Sequence, residues 1–233
     1  MTPPPPATPG QRSVVETHYE RVGQQPVAFI DETYSAQQGQ LNFYVMGAVV
    51  VSAKDRDGLR SDLDERVESG YWHTTDVLRS DEGQDQALDL LQCLDEVHEA
   101  CVIIHRTDVD PDDTDGEEAR QECLGLLLES LFHATGGTHA PVGLMIMEER
   151  RTARQNNNDR RTRAQLIQDK RIDPTAQLLH VSPGTDHLLW LPDLVCSAYR
   201  QRLLGRGTAL FDEVERLATV TTFAGDTANP RLP

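Results

Sequence analysis

The chain has 233 residues, with 38 acidic and 22 basic side chains and a formal charge of −16. That length suits one large domain, and that charge excludes a generally basic nucleic-acid coat protein while leaving room for a local basic groove. No apolar stretch reaches the ~18 residues needed to span a membrane, and the Pro-rich start has neither the charge nor the apolar core of a signal peptide, so a cytoplasmic protein is expected.

Residues 1–12 lack bulky apolar side chains and are expected to be disordered. Residues 224–233 read the same way, which leaves 13–223 as a single domain. Pro26-Val-Ala-Phe-Ile30 predicts the first strand, ending in Asp31-Glu32. Leu41 to Val51 is a near-continuous apolar run, which suits a strand covered on both faces. Gln37-Gln-Gly-Gln40 between them suits a hairpin turn.

Leu59, Leu63 and Val67 recur every four residues and mark a helix ending at Gly70. A second helix carries Leu88, Leu91 and Val97. Cys101–His105 is a short buried strand, and a helix runs from about Glu117 to Phe132. Val142–Met147 is another buried strand, ending in Glu148-Glu149. After an insertion, Gln177–Val181 is the last strand, followed by helices over 189–204 and 209–217. An early hairpin followed by alternating helices and strands predicts an α/β fold: a mixed sheet with helices on both faces.

The carboxylates carry the functional signal. Asp31 and Glu148 each follow a buried apolar strand, and Asp193 interrupts the apolar run Leu188–Cys196. In open α/β sheets, ligands collect beyond the carboxyl ends of strands. Carboxylates gathered there repel one another, and a divalent cation relieves the repulsion. Two Mg²⁺ or Mn²⁺ ions about 4 Å apart can clamp the attacking and leaving oxygens of a phosphodiester. Read singly, each residue also fits a plainer role: strand-end Asp as a turn residue, Asp193 as a helix cap after Pro192.

Phe29-Ile-Asp-Glu32, the following strand with Met46-Gly-Ala-Val, and Leu189-Trp-Leu-Pro-Asp-Leu-Val-Cys-Ser-Ala198 resemble the domain-of-unknown-function 3800 family. Members open with apolar-Asp-Glu-Ser, place an acidic residue after a late strand, and close on a Leu-Gln-Leu-Ala-Asp-Leu-Val-Ala helix. The resemblance spans roughly residues 26–204. It implies an RNase H-like fold and a metal-dependent nuclease, with Asp31, Glu148 and Asp193 as catalytic metal ligands. Glu32 is a further candidate metal ligand or helper, although on a regular strand it faces away from Asp31, and Glu149 replaces Glu148 if the register shifts by one. Thr33, Trp190 and Pro192 depart from the family pattern, where Ser, Gln and Ala are usual.

His73 lies where the family often has a His or a Lys, and is a candidate to touch phosphate. Residues 150–171 hold eight basic side chains against two acidic ones. Arg150, Arg151 and Arg154 therefore read as a phosphate-tracking arm, or alternatively as a solvated helix face. Gln155-Asn-Asn-Asn158 within this segment reads as a loop or a broken helix. The twenty Arg against two Lys point to a GC-rich bacterial genome. Four cysteines in apolar contexts, with no C-x-x-C pair, read as buried thiols.

The reading is a Mg²⁺- or Mn²⁺-dependent nuclease acting on DNA or RNA. The alternatives are a catalytically degenerate RNase H-like module that binds nucleic acid or protein, and a hydrolase of a small phosphorylated molecule.

Overall fold

The computed structural model describes residues 9–36, 41–67, 72–110, 112–113, 115–182 and 184–225. The strands are β1 (Val27–Ser35), β2 (Phe43–Val51), β3 (Ala100–Thr107), β4 (Leu144–Glu148), β5 (Gln177–Val181) and β6 (Ala218–Ala224). The helices are α1 (Pro9–Val22), α2 (Arg56–Arg66), α3 (Thr74–Val77), α4 (Asp81–Val97), α5 (Glu117–His133), α6 (Ala153–Gln168), α7 (Trp190–Leu203) and α8 (Ala209–Asp212). Short 3₁₀ turns cover 187–189 and 215–217.

The strands form one sheet in the order β5-β4-β1-β2-β3-β6. β1, β2 and β3 are an antiparallel meander. β4 lies parallel to β1, and β5 parallel to β4. This is the mixed sheet with helices on both faces that the residue pattern predicts, with β6 added in parallel beside β3.

Alternation along the strands divides the core in two. Val27, Phe29, Val45, Val49, Ile103 and Ile146 face α1, α2, α4 and α7. Ala28, Ile30, Met46, Val50, Ile104 and Met145 face α5 and α6. The strands buried on both faces are the near-continuous apolar runs of the sequence, as a sheet sandwiched between helix layers requires.

Several expectations are corrected. The N-terminal boundary at residue 12 cuts through α1, which starts at Pro9 and buries Val15, Tyr19 and Val22 against the sheet. Pro is favourable at the first helical position, where its missing N–H costs nothing. The expected disorder of 1–8, the turn at 37–40, the helix end at Gly70 and most of the tail lie outside the described residues. Ala224, assigned to that tail, closes β6, a strand that alternating Thr residues do not announce by hydrophobicity. β1 continues three residues past Asp31-Glu32 because β2 keeps pairing with it as far as Phe43. Gln155–Asn158 is unbroken helix. Thr152 caps it by accepting from the Gln155 N–H, and Asn156 turns inward to accept from the Arg150 N–H at 2.8 Å.

The close approach of α7 to the β1–β2 pair depends on Gly47, the residue paired with Asp31. A Cβ there would stand 2.7 Å from the Cys196 sulfur. We predict that Gly47→Ala lowers stability by about 1–3 kcal/mol, the usual cost of overpacking. Adding Cys196→Ala recovers most of that loss in a double-mutant cycle by denaturant unfolding. Strictly additive losses would contradict this packing.

Candidate active site

Each candidate carboxylate is aimed by the local geometry of its element. Asp31 follows Val27 and Phe29 in the alternation of β1, so it points to the α7 side. Glu148 follows Leu144 and Ile146 in β4 and takes the same side. β1 and β4 stay paired only as far as Ile30–Met147, so Asp31 and Glu148 stand where the two strands part. This is the crevice beyond a parallel pair in which α/β sheets collect ligands.

Asp193 lies in the first turn of α7. Asp193, Cys196 and Arg200 recur at helical spacing and form the stripe that meets β1. The Cys196 thiol donates to the Asp31 carbonyl oxygen at 3.3 Å. Arg200 donates to the Thr33 hydroxyl at 2.9 Å. The hydroxyl kept by the Ser-to-Thr departure is therefore used, as an acceptor for α7. Thr74, at the start of α3, donates to Asp193 from its hydroxyl and its backbone N–H. Its hydroxyl also accepts from the Trp72 indole at 2.7 Å.

Burial raises all three carboxyls, and the charge of Asp193 adds to the rise of the other two. Burial pushes the Asp31 carboxyl well above the usual range, and the charges of Asp193, Glu32 and Glu148 push it further. Burial also raises Asp193, against the opposing pull of Thr74 and His73. Glu148 is exposed at the rim, yet the surrounding chain raises its carboxyl to about 7, with Asp193 and Glu32 adding to the rise. Glu149 is exposed and its carboxylate accepts from the Ser182 hydroxyl at 3.4 Å.

Glu32 has a different environment. It follows Ala28 and Ile30, so it points to the α5–α6 side, as strand alternation predicts. There it pairs with Arg120, a guanidinium 1 % exposed. Arg120 also donates two bonds to Asp159, at 2.9 and 3.0 Å, and one to the Tyr44 hydroxyl at 3.3 Å. His180 Nε2 lies 3.0 Å from the same Asp159 carboxylate. Against the cost of its burial, the bonds from His180 and Arg120 hold Asp159 below the usual range. Removing one partner from such a buried network typically costs about 3–5 kcal/mol. Sequence reasoning missed Arg120, Asp159 and His180, because only the fold brings residues from α5, α6 and β5 together. Arg120 on the apolar face of a helix was the one available signal.

His73 lies near Asp193, at the start of α3, and pulls its carboxyl downward. Arg150 pairs with Glu117 and is largely covered. Arg151 and Arg154 are exposed, with no ion pair among the described residues. Both follow Glu148 by only a few residues, but Arg154 lies on α6, which packs on the face of the sheet opposite Asp31 and Asp193.

The donor set suits a hard divalent cation: three oxygen ligands on one side of the sheet, destabilised by their own repulsion. Among the described residues, no three ligating side chains stand close enough to hold an ion by themselves. An ion there would keep several waters, as Mg²⁺ commonly does.

No protein-family model matches this chain, and no curated protein matches it. Among solved structures, the chain is similar to the RNase HII of Archaeoglobus fulgidus in complex with PCNA. The TM-score is 0.47 at 14% identity, covering 78% of this chain and 75% of that one. It is also similar to Bst-RNase HIII in complex with Mn²⁺, with a TM-score of 0.44 at 14% identity over 85% of this chain. The match spans 63% of that RNase HIII.

The raised Glu148 carboxyl gives a pH prediction. A carboxyl whose folded-state pKa is raised costs stability as pH climbs from its unfolded pKa to its folded one, and the cost is complete above the folded pKa. Glu148→Gln should therefore match wild type below about pH 4.5, gain on it as pH rises from about 4.5 to about 7, and stay the more stable protein by a constant margin above that. Denaturant titrations across that range in EDTA test this. A variant less stable than wild type at pH 8 would contradict the electrostatic account.

Proposed function

We propose that this chain is a Mg²⁺- or Mn²⁺-dependent nuclease, hydrolysing phosphodiester bonds of DNA or RNA at Asp31, Glu148 and Asp193. The observation that carries the proposal is that three raised carboxyls lie on one side of the sheet where β1 and β4 part beside α7: burial raises each, Asp193 and Glu148 add to the rise of Asp31, and Asp193 adds to that of Glu148. Three like charges held together raise the free energy of the folded protein, and a bound cation turns that cost into affinity.

In this reading Asp31, Asp193 and Glu148 hold the cation from β1, the first turn of α7 and the rim of β4. The cation would supply Lewis-acid stabilisation of the phosphoryl oxygens and a nucleophile at neutral pH. Cys196 and Arg200 keep α7 seated on β1, and so keep Asp193 over Asp31. Thr74 fixes the Asp193 carboxylate, and His73 beside it is positioned to meet a phosphate. Glu32 serves as an anchor to Arg120 and helps set the field at the site. Arg151 and Arg154 offer exposed guanidinium forks to the strand's phosphates. Membership of the domain-of-unknown-function 3800 family, a cytoplasmic location and a bacterial source belong to the same proposal. Among the described residues, no helix is long and apolar enough to cross a membrane.

A second reading, a degenerate binding module, is favoured by the lack of a closed ligand cluster among the described residues. The two separate on short DNA, RNA and hybrid substrates with Mg²⁺ or Mn²⁺. The nuclease reading predicts cleavage that EDTA abolishes and that Asp31→Asn lowers by at least about 100-fold, since even outer-shell changes cost 10–100-fold. Oligonucleotide binding without cleavage would favour the module. Equal cleavage by wild type and Asp31→Asn would remove the carboxylate site from the chemistry.

A further inference from the structure

A cavity lies beside the turn that leads into α7, a few residues before Asp193. Its volume is about 210 Å³, and its walls include Arg12 and Glu16 of α1, Asp64 of α2, and Thr185, Asp186 and His187. Ligand pockets usually run from about 300 to 1,000 Å³, so this one suits a single ring system rather than a whole cofactor.

Its walls are preorganised. Asp186 takes Arg60 through both oxygens, at 3.1 and 2.8 Å, and the Tyr19 hydroxyl at 2.6 Å. It also caps the 187–189 turn by accepting from the Leu188 N–H at 3.1 Å. The His187 ring stacks on Trp190, with centroids 4.1 Å apart and planes 15° from parallel. His187 pairs with Asp64 on its Nδ1 edge. Trp190 covers one face of that ring, and His187 lines the cavity while Trp190 does not. This leaves a flat aromatic face open to a second ring.

Two further features point to a polar ligand. The Thr185 hydroxyl is buried, in a residue only 9 % exposed, and has no hydrogen-bond partner among the described residues. An unsatisfied buried hydroxyl is costly, and a ligand atom would satisfy it. Arg12 and Glu16 stand one helical turn apart, exposed, with no ion pair among the described residues.

We propose that this cavity is a nucleobase subsite that takes guanine from the substrate strand. Aromatic faces accept any base by stacking. Guanine alone offers the O6 and N7 acceptor pair that an arginine fork reads, together with an amino donor for a carboxylate. Arg12 and Glu16 supply those two complements, and His187 on Trp190 supplies the platform. Trp190 sits one turn before Asp193, so a base held there belongs to a nucleotide flanking the bond at the carboxylate site. The departure of Trp190 from the family pattern acquires a role in this way. The inference rests on the nuclease reading only for the source of the base.

The test measures binding in EDTA, so that cleavage and metal binding play no part. The probes are guanosine, adenosine, cytidine and uridine 5′-monophosphates, and thymidine pentanucleotides with or without one central guanine. The proposal predicts that the guanine-containing pentanucleotide binds most tightly, ahead of free guanosine monophosphate. His187→Ala should weaken it at least about fivefold, the lower bound for loss of one base stack. Glu16→Gln and Arg12→Gln, both on the exposed side of α1, should erode the preference for guanine while leaving the fold intact. Asp31→Asn should bind guanine as wild type does, even if the nuclease reading fails. Equal binding of all four bases, tighter binding of the free mononucleotide, or no response to Glu16→Gln and Arg12→Gln would overturn the proposal.

Discussion

Helix α7 lies against β1 and β2 because residue 47 has no side chain. The Cys196 sulfur occupies the space that a Cβ would take. From that contact the thiol reaches the Asp31 carbonyl, Arg200 reaches the Thr33 hydroxyl, and Asp193 is carried over the point where β1 and β4 part. Burial and the nearby carboxylates of Asp31 and Asp193 keep Cys196 a thiol, so it stays a neutral donor at this contact. The close approach of one helix thus sets the position of the carboxylate group.

Strand alternation does the second part of the work. Asp31 and Glu32 are consecutive and chemically similar, yet they point to opposite faces of β1. Glu32 meets Arg120 and joins a buried network with Asp159, Tyr44 and His180. Its charge is compensated by protein. Asp31 meets Asp193 and Glu148, and their charges add to one another. Glu32 is thus paired by Arg120, while Asp31 stands among other carboxylates, and on the proposed reading that is where a cation would bind. His187, stacked on Trp190, lines a separate cavity walled by α1, α2 and residues 185–187.

Much of this was legible in the sequence. Apolar runs located β1 to β5, because strands covered on both faces carry an uninterrupted hydrophobic signal. The helical spacing of Leu59, Leu63 and Val67 located α2, and the carboxylates interrupting apolar runs located Asp31, Glu148 and Asp193. Alternation alone set Glu32 apart from Asp31. The rest depended on contacts between distant segments. Threonine-rich β6 is held by β3 rather than by its own hydrophobicity. The asparagines of α6 looked like a loop because their inward bonds depend on the tertiary fold. Arg120, Asp159 and His180 are unremarkable polar residues until the fold buries them together. The Pro-rich start concealed a helix that its buried Val15 and Tyr19 hold in place.

The central claim is that Asp31, Glu148 and Asp193 bind a divalent cation. Calorimetric titration of Mn²⁺ into the full chain, alone and with a short oligonucleotide, tests it most directly. Wild type is predicted to bind Mn²⁺. Asp31→Asn and Asp193→Asn, shown by circular dichroism to be folded, are predicted to lose that binding. Undiminished binding in both variants, or no binding by wild type even with the oligonucleotide present, would contradict the account.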